Sequence, residues 1–90
     1  MIRVRSVRVL EGHQVKLGFT DGTDKIVDLE PYLRGPIFEP LRKDRVEFSK
    51  VRVDEELGTI VWPNGADIDP DVLYHNRAPV SQGQTVRSAQ

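Results

Sequence analysis

The feature that most constrains this chain is a series of short apolar alternations, each closed by turn residues. Val15, Leu17 and Phe19 share one side of a two-residue period with Lys16 on the other, and the run ends in Thr20-Asp21-Gly22-Thr23. Such a period marks a strand with one buried face, and Asp-Gly tolerates the positive φ that a tight hairpin requires. Residues 2–10 carry the same signal with a change of phase: Ile2 and Val4 share a face, then Val7 and Val9 continue at odd positions. Keeping all four on one side takes an extra residue, so a β-bulge is expected near Ser6.

Further along, residues 25–29 read as a third strand. Pro31-Tyr32-Leu33 begins a short irregular or helical turn that Gly35-Pro36 interrupts. Residues 36–42 fit about two helical turns, with Ile37, Phe38 and Leu41 on a shared face and Pro40 limiting regularity. Residues 45–53 return to alternation, Val46 and Phe48 in one phase and Val51 and Val53 in the other, which predicts a strand bent or bulged near Ser49-Lys50. After a turn over 54–58, residues 59–62 form the fifth predicted strand, and Pro63-Asn64-Gly65 ends it. Asp69-Pro70-Asp71 is a helix start, with a side-chain cap, proline at the first helical position and a carboxylate in the first turn. The helix it opens spans 70–75.

These elements predict one α+β domain over residues 1–75, with an about five-stranded mixed or antiparallel sheet and two short helices packed on one side. From Asn76 on the sequence is polar and aperiodic, and residues 81–90 hold one strongly apolar side chain, Val86. Too little burial is on offer there to offset the entropy of ordering, so 76–90 is expected to be a flexible or disordered tail.

A chain of 90 residues, 38% of them apolar, builds a thin core and no deep enclosed cofactor cavity. It has no cysteine, which rules out disulfides and thiolate chemistry and fits a reducing compartment. No apolar run exceeds three residues, against roughly 20 for a membrane-spanning helix, and Met1-Ile2-Arg3-Val4-Arg5 lacks the apolar stretch of a signal peptide. The expected location is the cytoplasm, with no membrane association. Net charge is −1; all 14 acidic residues and 11 of the 13 basic ones lie in residues 1–75, and the tail adds only Arg77 and Arg87. An acidic folded part makes nucleic acid an unlikely partner. Arg3, Arg5 and Arg8 with Lys50 and Arg52 form at most a solvated stripe without the interleaved aromatics of a single-strand platform.

The chemical candidates reduce to structural readings. Asp67, Asp69 and Asp71 alternate like the opening of a calcium loop, but the sixth and twelfth positions are Val72 and Ala78 where glycine and glutamate are needed. His13 lies in a turn and His75 at a helix end, neither in a metal-like spacing. Ser6, Ser49, Ser81 and Ser88 sit in no nucleophile motif, and the seven glycines form no phosphate loop. The expectation is therefore no catalytic residue, no cofactor, no metal and no enzyme. Trp62 with Pro63-Asn64-Gly65 reads either as a core tryptophan beside a tight turn or as an exposed aromatic platform next to free backbone donors. Trp62, Asn64, Gly65, Asp67 and Tyr74 make up the candidate interaction surface.

The run from Phe48-Ser49-Lys50-Val51-Arg52-Val53-Asp54 through Gly58-Thr59-Ile60-Val61 to Trp62-Pro63-Asn64-Gly65-Ala66-Asp67-Ile68 resembles domain-of-unknown-function family 2442 of bacteria. Leu17-Gly18-Phe19-Thr20-Asp21-Gly22 and Val27-Asp28-Leu29 agree with it. The resemblance implies a small α+β domain, with no established catalytic residue to carry over, whose genes often neighbour another small family in a toxin–antitoxin-like arrangement. Some similar domains sit beside a helix-turn-helix, and none is expected here after Tyr74. The function expected is a non-catalytic protein-interaction module, antitoxin-like or an accessory partner of a neighbouring small protein, with homodimerisation through a free strand edge possible. The alternative is a small-molecule-binding domain or minor enzyme using the segment 62–71.

Overall fold

The computed structural model describes residues 2–75; the tail expected over 76–90 lies outside the described residues. The alternating segments build a three-stranded antiparallel meander in the order β1 (Val4–Val9), β2 (Gln14–Phe19), β3 (Asp24–Asp28). Val15, Leu17 and Phe19 are buried on the inner face, with Val27 of β3 beside them. The register of β1 shifts between Val4 and Ser6, the bulge that the phase change demanded. Phe19 N donates to Thr23 O at 2.9 Å around Thr20, Asp21 and Gly22, and Gly22 takes φ +90°, a conformation costly for residues with a Cβ.

A 3-10 turn (Glu30–Tyr32) follows, then α1 (Glu39–Lys43) and α2 (Arg45–Phe48), a second antiparallel pair of β4 (Arg52–Asp54) and β5 (Thr59–Val61), and α3 (Pro70–His75). The helices bury Leu41, Phe48 and Leu73 in the core that the inner sheet face lines, and Leu29, Leu33, Ile60 and Trp62 join it.

Two expectations need correction. The sheet is not five-stranded: three strands form one sheet and two another. The sheets meet where Val4 N donates to Gly58 O at 2.9 Å. There the Arg3 guanidinium donates to Glu55 O at 2.6 Å and Glu56 O at 3.0 Å. Secondly, residues 45–48 are helical, which gives three short α-helices among the described residues where two were expected. Asp44 caps α2, accepting from Val46 N at 2.9 Å and Glu47 N at 3.4 Å. Residues two apart on a helix point in nearly opposite directions, so Val46 is 65% exposed while Phe48 is fully buried. Only residues 52–54 of the predicted segment form a strand.

Candidate interaction surface

The residues singled out in sequence fall in two places. Trp62 is 2% exposed, and its Nε1 donates to Phe48 O at 3.0 Å. Its ring lies 6.0 Å from that of Phe48 and 6.2 Å from that of Phe38. The exposed-platform reading of Trp62 is thereby corrected: the ring is core. Asn64 is exposed, yet its amide bonds are used internally: Nδ2 donates to Ile37 O at 2.9 Å and Oδ1 accepts from Ala66 N at 3.0 Å. Gly65, at φ +92°, closes the turn, with its N–H donating to Trp62 O at 2.9 Å. Asp67 is exposed and makes a backbone bridge with Val61. The turn therefore ties the end of β5 to the segment that leads into α1.

Tyr74 belongs to a separate cluster. Its hydroxyl donates to Asp21 Oδ2 at 2.7 Å, and its ring meets Phe19 edge-on at a centroid distance of 5.1 Å. Lys25 Nζ sits 4.7 Å from the centre of the same ring and donates to Tyr74 O. Asp21 also accepts from the hydroxyl and backbone N–H of Thr23. These bonds to its charged form, those of Thr23 first and that of Tyr74 after them, hold the Asp21 carboxyl at about 2. The same carboxylate pushes the Tyr74 phenol above its usual value. The cluster clamps α3 onto the β2–β3 hairpin.

His13 and His75 do not come together with carboxylates. His13 Nε2 lies 3.1 Å from Arg42 O, and its ring meets Phe48 edge-on; His75 meets Tyr74. Among the described residues no group of three or more histidines and carboxylates is arranged to hold a metal ion, and no helix is long and apolar enough to cross a membrane.

What the sequence reading missed is the outer edge of β3. Phe19 N to Thr23 O and Leu29 N to His13 O are ladder bonds of the same parity as the pairs Val15–Val27 and Leu17–Lys25. Hydrogen-bonded pairs recur at every second residue of an antiparallel ladder. The backbone groups of Asp24, Ile26 and Asp28 thus point away from β2, and among the described residues no strand lies beyond them. The side chains of these three residues project on the solvent face, and Ile26 is 62% exposed. The signal was present: Val27 shares its phase with buried Leu29, so its neighbour Ile26 has to face outward.

The model of a family described as "Protein of unknown function (DUF2442)" matches residues 4–79. No curated protein and no solved structure gives a significant match to the chain.

Proposed function

We propose, from the premise that the chain belongs to the family of unknown function DUF2442, that it is a non-catalytic protein-interaction module working through the open edge of β3. One observation carries this reading. A strand whose outward N–H and C=O groups have no strand partner among the described residues, with a 62% exposed isoleucine at its centre, offers what strand addition uses: main-chain bonds for affinity and alternate side chains for specificity. The rest of the surface supports it. In the 62–71 segment Asn64 is held by Ile37 and Ala66, and Arg3 and Lys50 are engaged by Glu55, Glu56 and Glu47. Protein is therefore favoured over a small molecule or nucleic acid as the partner.

The finer form of the proposal is an antitoxin-like or accessory partner of a second small protein encoded beside it. Co-expression with the neighbouring gene product, followed by size-exclusion chromatography, tests it. A stable complex is expected for the wild type and its loss for Ile26→Lys, whose circular dichroism stays unchanged because the side chain makes few internal contacts. Absence of a complex across several homologous pairs excludes the antitoxin-like form. A complex indifferent to Ile26→Lys places the contact elsewhere.

A further inference from the structure

The geometry points to an occupant for the β3 edge: an extended segment of another protein that alternates basic, apolar and basic residues at every second position. The inference rests on the interaction-module reading and goes on to the chemistry of the partner. Asp24, Ile26 and Asp28 lie on one face of the edge strand, so an added strand sets three of its own side chains opposite carboxylate, isoleucine and carboxylate. Opposite charges facing each other across strands stabilise a sheet, and like charges destabilise it. Lys25, the cation within β3, takes no part: it projects to the inner face and is held by the carbonyl and ring of Tyr74. The edge thus carries a carboxylate on either side of an apolar centre, with Lys16 of β2 behind Ile26 on the same face, one strand further from the edge.

The same pattern rejects a second copy of this chain. Antiparallel pairing of two β3 edges about Ile26 sets Asp24 of each copy against Asp28 of the other, a like-charge clash made twice. Repulsion of its own kind and attraction for a cationic strand make the edge selective.

The test uses the full chain, labelled with nitrogen-15, and synthetic seven-residue peptides in which threonines alternate with arginine, isoleucine and arginine. A control peptide carries glutamate in place of both arginines. The arginine peptide is expected to shift the amides of Asp24, Ile26 and Asp28 and to bind about 2–10-fold more tightly than the control at low salt. The double variant Asp24→Asn, Asp28→Asn keeps the side-chain acceptor that Glu30 N uses at 3.1 Å from Asp28 Oδ1, so its fold is preserved and only the preference is expected to vanish. Equal affinities for the two peptides, shifts clustered elsewhere, or an Ile26 amide whose exchange slows as the chain alone is concentrated would overturn the inference. The two levels separate cleanly. A natural complex abolished by Ile26→Lys but indifferent to the asparagine pair removes the charge rule and leaves the module standing; a complex indifferent to both removes both.

Discussion

The Tyr74 hydroxyl donates to Asp21 Oδ2 at 2.7 Å, which ties the last described helix to the β2–β3 hairpin across 53 positions of sequence. Tyr74 lies on the inner side, where its ring covers Phe19 and Lys25. The β3 edge is therefore stiffened from within, while among the described residues no strand covers its outer side.

This contact has a pH signature. The folded-state carboxyl of Asp21 titrates at about 2, below the ordinary aspartate value of about 3.9. Its contribution to stability is full above the unfolded value and is lost as pH falls toward 2. Tyr74 has the opposite sign: its raised value favours the fold below about pH 10, and that contribution is lost as the phenol ionises at higher pH. Because Thr23 is the leading cause for Asp21, Thr23→Ala is expected to raise the carboxyl titration more than Tyr74→Phe does. Carboxyl carbon shifts followed by NMR check the order.

Asp44→Ala removes the cap of α2, where Oδ1 accepts from Val46 N and Glu47 N. A loss of about 1 kcal/mol is expected, measured by urea unfolding. Asp44→Asn keeps an acceptor and is expected to lose much less.

Legibility followed the length and cleanness of each local signal. The β2–β3 hairpin was readable because Val15, Leu17 and Phe19 alternate without interruption into Asp-Gly, and the bulge because Val4 and Val7 cannot share a face without one. Residues 45–48 misled because Val46 and Phe48 mimic a two-residue period over too few positions to distinguish strand from helix. Asp44-Arg45-Val46-Glu47 matches the spacing of a helix start, an acceptor followed three residues later by glutamate, and was the better guide. The division into two sheets was not readable, since the contacts between them join residues more than 50 positions apart, Val4 with Gly58 and Arg3 with Glu55 and Glu56. Of the candidate surface, the burial of Trp62 is likewise a tertiary fact, set by the Phe48 carbonyl and the Phe38 and Phe48 rings.

Gly58 takes φ +70°, and a Cβ there would sit 2.6 Å from Arg3 Cζ. Gly58→Ala is expected to destabilise by more than about 1 kcal/mol, through backbone strain and through displacement of the guanidinium from Glu55 and Glu56. Combining it with Arg3→Ala is expected to relieve the steric part, so the double variant loses less than the two single losses added together. A double-mutant cycle in urea reads that coupling.

Trp62 is the chain's one tryptophan and reports its own burial. Its emission is expected to be blue-shifted in the native state and to move red on unfolding. Trp62→Ala is expected to cost about 3–5 kcal/mol. Trp62→Phe should cost less, because it keeps an aromatic ring while leaving the buried Phe48 carbonyl without its donor.

The most direct measurement is amide hydrogen exchange at Ile26 and Val27 in the full chain, alone and with the neighbouring gene product. Free chain should show Val27 protected by its ladder bond to β2 and Ile26 exchanging orders of magnitude faster, with Ile26 becoming protected once the partner is added. An Ile26 amide as slow as that of Val27 before any partner is present, or one whose exchange the complex leaves unchanged, would contradict the assignment of β3 as the contact edge.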